Sequence, residues 1–162
     1  MTTTHLQSPL GTLRITGDAV GVSAIACLDN QVEELVTENL PEPVEQAVTQ
    51  LKAYFAGNRR TFDFPMTPVG TTFQQAVWRA LMRVPFGTTQ SYLTLTRSLG
   101  DEKAIRAVAA ANGRNPLAIV VPCHRIIGSD GSLTGYAGGL WRKQWLLEHE
   151  GVWPKIGQMS LF

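Results

Sequence analysis

Residues 119–128 read IVVPCHRIIG, setting a thiol, an imidazole and a guanidinium side by side inside an otherwise apolar run. A cysteine attacks as its thiolate, and at a free pKa of ~8.5 only about 3% is ionised at pH 7, so Cys123 needs a base or a positive field close by. His124 is the nearest base in sequence. In an extended strand, however, adjacent side chains leave opposite faces, which would keep the pair apart. Pro122 lacks a backbone donor and holds Val121 extended, which predicts that a strand through IVV ends there. A turn after Pro122 would bring Cys123 and His124 to one pocket. The imidazole would then need a carboxylate to orient it.

A helix predicted from about Leu140 to Glu150, stopped by Gly151, offers that carboxylate. Arg142 and Lys143 lie in its first turn and Glu148 and Glu150 in its last, the reverse of what the helix dipole favours by ~0.3–1 kcal/mol per charge. Glu150 reads either as a residue placed to meet a cation or imidazole, or as a charge on a solvated helix end.

The elements that must position these residues divide at Pro68 to Thr72. Before this joint, TLRIT at 12–16 and AIACL at 24–28 read as strands. A helix follows Pro41 and Pro43, with Val44, Ala47, Val48, Leu51 and Phe55 at helical spacing and Gly57 as its stop. RRTFDFPMT at 59–67 reads as a further strand. Beyond the joint, Phe73 to Val84 repeat with helical period behind Thr71 or Thr72 as cap. Ser91 caps a helix to Leu99, Gly100 turns, and Asp101 caps EKAIRAVAAA, so that two short helices make a helix-turn-helix candidate. RIIGSDGSLTGY reads as a hairpin about Asp130 and Gly131, in the place of a wing. The fold class expected is mixed α+β: a small strand and helix domain at 1–69, a mainly helical winged helix-turn-helix-like domain at 70–155, and a tail at 156–162.

With 162 residues, 44% of them apolar, the chain can bury a core, and no segment approaches the ~18 apolar residues of a membrane span. MTTTHLQSPL has no signal-peptide pattern, so a cytoplasmic chain with reduced thiols is expected. The only other cysteine, Cys27, lies in an apolar run and reads as a small buried hydrophobe. Residues 1–72 carry four basic and eight acidic side chains, residues 73–162 ten and five, so the second half is the one suited to a polyanion. Within it, Ala104, Ala107, Ala109, Ala110 and Ala111 leave one helix nearly bald around Arg106. Composition alone leaves open whether that face packs on another helix or approaches nucleic acid.

PCHR at 122–125, flanked by NPLAIVV and GSLTGYAGG, resembles the active-site signature of the methylated-DNA protein-cysteine methyltransferases, the 6-O-alkylguanine-DNA alkyltransferases. The resemblance extends through TTFQQAVWRAL, PFGTTQSY, AIRAV, ANGRNP and RKQWLLEHEG, about residues 70–151; the first part adds only SPLGTL and the helix ending AYFAGN. It implies that Cys123 accepts an alkyl group from the 6-oxygen of guanine in double-stranded DNA, irreversibly and without a cofactor. His124 would act as base through a water and Glu150 would hold it, with Asn115 fixing the turn before the site. Tyr92 would hydrogen-bond the flipped base, Tyr136 and Ala137 would line its pocket, and Arg106 would fill the gap in the stack, with Ala107, Ala110 and Arg125 also toward DNA. Ala109 stands where relatives usually show glycine, and Leu93 where a polar or small residue is common. Cys27 and His5 do not reproduce the zinc set of some members, so no metal is expected.

Two other readings fit the motif: a cysteine hydrolase or acyltransferase built on Cys123, His124 and Glu150, and a module that binds alkylated bases without repairing them, which Cys123 itself argues against. The chain is expected to be a monomer free in solution. Its last residues, QMSLF, with Gln158, Leu161 and Phe162, resemble the peptide that docks bacterial DNA-maintenance proteins on the replication sliding clamp.

Overall fold

The computed structural model describes residues 1–30, 32–33 and 38–152. The tail with Gln158, Leu161 and Phe162 lies outside the described residues. The fold is mixed α+β, and the described residues form two compact units: those of Met1–Val69 with Pro116–Val120, and Gly70–Asn115 with residues 121–152. Among the described residues, no helix is long and apolar enough to cross a membrane.

The first unit is an antiparallel sheet of β1 (Thr2–Ser8), β2 (Gly11–Gly17) and β3 (Val22–Cys27), in that spatial order, with helix α1 (Glu42–Phe55). Leu6, Leu13, Ile15, Val22 and Ile25 from the sheet and Val44, Ala47, Leu51 and Tyr54 from α1 are buried. Strand β1 had no counterpart in the sequence reading, because only Thr4 and Leu6 of TTTHLQS are buried and its alternation is thin. Pairing with β2 from Thr2 opposite Gly17 to Ser8 opposite Gly11 is what makes it a strand. The strand expected at 59–67 reduces to one bridge, Met66 to Val22, held by Val22 N–H on the Pro65 carbonyl (2.9 Å) and Thr67 N–H on the Val22 carbonyl (2.8 Å). Pro65 and Pro68 have no N–H to extend the ladder.

IVV is not a strand either. Leu117 makes a single bridge to Ile25, and Ile119 then sits at φ +74, a left-handed conformation that a β-branched residue adopts at a cost of ~1–3 kcal/mol. Leu117, Ile119, Val120 and Val121 are all buried, and burying four large apolar side chains offsets that strain. Residues 116–120 thus belong with the first unit, a return that nothing in the apolar run itself signals.

Among the described residues, the second unit holds four α-helices. Thr71 caps α2 (Thr72–Leu81) in a reciprocal box with Gln74, and Ser91 caps α3 (Tyr92–Ser98) by accepting from Thr94 N–H at 3.0 Å. Gly100, at φ +96, turns the chain, and Asp101 caps a single 3₁₀ turn, Glu102–Ala104, that leads into α4 (Ile105–Gly113). The Trp78 indole of α2 donates to the Ala111 carbonyl (2.9 Å), fixing the end of α4. Last comes α5 (Leu140–His149).

The expected hairpin is absent. Ile126–Ile127, strand β5, pairs in parallel with Gln90–Ser91, strand β4. The residues after it close on themselves, since Gly128 N–H reaches the Ser132 carbonyl and the Asp130 carboxylate takes both the amide and the hydroxyl of Ser132. A loop that satisfies its own polar groups leaves no ladder to continue.

Candidate active site

Pro122, at φ −82 and ψ 61, forms an inverse γ-turn in which Cys123 N–H donates to the Val121 carbonyl at 2.8 Å. Cys123–Arg125 then make one 3₁₀ turn. At three residues per turn, successive side chains diverge by about 120° instead of alternating, which removes the objection that a strand would separate Cys123 from His124. Asn115 locks this geometry: its amide donates to the Val121 carbonyl at 2.7 Å and lies 3.4 Å from Cys123 Sγ.

His124, Arg125 and Glu150 form a buried cluster. His124 Nε2 is 2.8 Å from Glu150 Oε2; Arg125 Nε donates to Oε1 at 2.8 Å, and one of its terminal nitrogens donates to Oε2 at 3.0 Å. The other terminal nitrogen donates to the Val84 carbonyl at 2.7 Å. Arg125, expected toward DNA, is therefore an internal residue, 6% exposed, because its guanidinium is consumed by a carboxylate and a carbonyl. Burial alone would raise the Glu150 carboxyl, but His124 and Arg125 outweigh it and hold the group at about 2. Burial lowers the pKa of His124, leaving a neutral imidazole. With Nε2–H given to Glu150, the lone pair is on Nδ1, which is buried and has no protein partner.

Cys123 opens onto a cavity of about 620 Å³ whose lining includes Tyr92, Arg106, Asn112, Tyr136 and Ala137. Burial pushes the thiol pKa up, while the Asn115 amide and the charge of Lys143 draw it down. Tyr92 is raised by burial and by Cys123, so its phenol stays a donor. The alanine face of α4 is free of packing: Arg106, Ala107, Ala109 and Ala110 are exposed, whereas Val108, Ala111 and Asn112 face inward. Ala109 joins Arg106 in the cavity rim; Ala107 and Ala110 lie outside the lining.

Two site residues escaped the sequence reading. Asn112 is 4% exposed, lines the cavity and has its amide nitrogen 3.5 Å from the Tyr92 hydroxyl. Lys143 is wholly buried. The signal for it was present as a cation against the dipole at the start of α5, where Arg142, Lys143, Leu146, Leu147 and Glu150 prove to form the buried stripe. Of the adverse charges on that helix, Arg142, Lys143 and Glu150 are inward-facing groups with partners, and Glu148 is exposed.

Residues 72–152 match the family model described as 6-O-methylguanine DNA methyltransferase, DNA binding domain, and residues 1–68 match its ribonuclease-like domain. The methylated-DNA–protein-cysteine methyltransferase of Methanosarcina acetivorans is 44% identical over 148 residues, covering 90% of this chain and 95% of its own. That of Mycobacterium bovis is 46% identical over 147 residues, with 90% and 89% covered. Among solved structures, Mycobacterium tuberculosis OGT in complex with DNA superposes with a TM-score of 0.80 at 45% identity, over 91% of each chain. With both units matched in order, this chain belongs to the 6-O-methylguanine DNA methyltransferase family.

Proposed function

We propose that this protein repairs DNA by moving the alkyl group of 6-O-alkylguanine, chiefly methyl, onto its own Cys123, once per molecule and without a cofactor. The observation that carries this reading is a cysteine opening onto a cavity ample for a base, next in the chain to a neutral imidazole whose Nε2 is tied to Glu150. A relative solved with DNA supports the substrate class.

The target oxygen is hidden inside a duplex, so the nucleotide turns out of the stack at a cost of a few kcal/mol and enters the cavity. Arg106, an exposed cation on the rim, fills the gap, and the small alanine side chains beside it allow close approach to the groove. His124 Nδ1 takes the thiol proton through one intervening water, and Glu150 stabilises the imidazolium that forms. The sulfur–carbon bond forms as the carbon–oxygen bond breaks, the electron pair passes into the guanine ring, and the proton returns to the base at its ring nitrogen. Tyr92 donates to the base as that charge develops. The thioether has no leaving path, which ends the reaction.

The test is intact mass after incubation with a duplex carrying 6-O-methylguanine: one added methyl group, on Cys123, and then no more. Repeated turnover, as a hydrolase would show, overturns the reading. Arg106→Ala is expected to slow repair of the duplex about tenfold or more, since ~1.4 kcal/mol of lost flipping stabilisation is tenfold, while reaction with the free base is unchanged. Equal slowing of both substrates would remove Arg106 from the flipping step.

The QMSLF segment carries the proposed clamp contact. Deleting residues 158–162 is expected to leave methyl transfer to a short duplex unaltered and to abolish binding to the sliding clamp at tens of micromolar. Undiminished clamp binding by the truncated chain refutes it.

A further inference from the structure

The helix gives no reason for residue 112 to be an asparagine. It stands in the last turn of α4 after Ala109, Ala110 and Ala111, where a further alanine would serve the helix better and an apolar side chain would fill the wall without a polar group to satisfy. Asn112 is only 4% exposed, and it lines the same cavity as Tyr92 and Cys123. Its Nδ2 lies 3.5 Å from the Tyr92 hydroxyl, whereas its Oδ1 is buried with no partner among the described residues. A buried acceptor left unpaired is costly, and native structures keep few of them without a use.

The backbone under this side chain is fixed on both sides. The Trp78 indole donates to the carbonyl of Ala111, the preceding residue, at 2.9 Å, and Asn115 N–H donates to the Asn112 carbonyl at 3.4 Å. Tyr92 settles which way the carboxamide points. Burial and Cys123 raise its phenol, while side-chain hydrogen bonds from Thr134 and Asn112 draw it down. A phenolic oxygen that accepts from these two side chains keeps its own proton for a third group, and the cavity that Tyr92, Asn112 and Thr134 all line is where such a group enters. With its N–H given to Tyr92, Asn112 presents Oδ1 as an acceptor next to the phenol's donor.

With the 6-oxygen turned to Cys123, a guanine ring carries N3, an acceptor, and the 2-amino group, a donor, side by side and away from the sulfur. A donor beside an acceptor on the protein matches an acceptor beside a donor on the base. We infer that Asn112 is a specificity-determining residue of the base pocket: its Oδ1 accepts from the 2-amino group of the flipped guanine while the Tyr92 hydroxyl donates to N3. This rests on the alkyl-transfer reading above. A base with nothing to donate at that place leaves Oδ1 buried and unpaired, which is how a hydrogen-bonding site rejects an analogue that lacks the group.

The experiment measures single-turnover methyl transfer from two duplexes that differ at one group: 6-O-methylguanine and 6-O-methylhypoxanthine, which lacks the 2-amino group. The two bases differ in how readily they leave the stack, but that difference is common to every variant, so the ratio of the two rates is what is compared between proteins. In Asn112→Leu, which keeps the bulk and removes the acceptor, the guanine-to-hypoxanthine ratio is expected to fall about tenfold below that of the wild type. Asn112→Asp, which retains an acceptor, is expected to keep the wild-type ratio even where both rates fall. An unchanged ratio in Asn112→Leu overturns the inference, whatever happens to its rates or its melting temperature. A ratio in Asn112→Asp as low as in Asn112→Leu assigns the effect to packing and overturns it too. Should Asn112→Leu fail to fold, Cys123→Ser decides, because it holds the base without reacting: its Asn112 side-chain amide resonances are expected to shift on binding the guanine duplex and to stay near their free positions on the hypoxanthine duplex. Equal shifts with both duplexes overturn the inference. A wild type that gains no methyl group from either duplex sinks the repair reading instead, and the resonance comparison still reports on Asn112.

Discussion

Cys123→Ser is expected to fold as the wild type does, to bind a methylated duplex with similar affinity, and to gain no methyl group however long the incubation. The substitution removes one soft atom at a site only 7% exposed, leaves the γ-turn at Pro122 untouched and keeps a polar atom near the Asn115 amide. What is lost is the nucleophile. A thiol raised by burial still gives up its proton far more readily than an alcohol in the same place, and the neutral His124 is too weak a base to ionise serine usefully. For the same reason, the wild-type rate should climb with pH through the neutral range, because burial holds much of Cys123 in its thiol form there. Intact mass, gel mobility and a thermal melt on the serine variant check the three parts. Methyl transfer by the serine variant, or to any residue other than Cys123 in the wild type, would break the assignment of Cys123 as acceptor.

The chemistry of the site was legible in residue types, and the geometry was legible only where a local rule reached it. Ser91 announced its cap, the first cap was legible as Thr71 or Thr72, and Asp101 caps the 3₁₀ turn before the helix expected of it, because a side-chain oxygen before an apolar period has one good use. The need for a turn after Pro122 followed from the strand problem, and the γ-turn and 3₁₀ turn supply it. The IVV run was misread because three β-branched residues favour a strand locally, whereas the structure buries them in a turn with Ile119 at φ +74. Tertiary burial overrode propensity. Arg125, placed toward DNA with the resemblance, is instead claimed by Glu150, 25 residues away, a pairing that no local rule announces. The reversed charges of α5 were the most informative irregularity, for both Glu150 and Lys143 turned out to be buried in the site.

Glu150 is where fold and chemistry share one residue, and Glu150→Gln should therefore lose both. Arg125 would be left as a buried, unpaired charge, and removing one partner of such a pair destabilises by ~3–5 kcal/mol. Transfer should slow by about a hundredfold or more at temperatures where the variant is folded, because an amide neither holds Nε2–H as firmly nor stabilises the imidazolium. The pH dependence of the wild type follows from the same cluster. Glu150 is held at about 2 against an ordinary value of 4.5, so its contribution, about 3 kcal/mol, is complete above pH 4.5 and fades as pH falls toward 2. His124 is also lowered, so it too favours the folded state above its ordinary value of 6.5 and withdraws that support on acidification. Melting temperature should therefore drop from near pH 6 downward, and Glu150→Gln should flatten the part of that slope below pH 4.5. A double variant separates the two roles. Arg125→Met with Glu150→Leu replaces the ion pair by apolar bulk and should recover much of the lost stability, while methyl transfer stays as slow as in Glu150→Gln. If the double variant regained transfer along with stability, Glu150 would serve the fold alone and His124 would need no carboxylate to act.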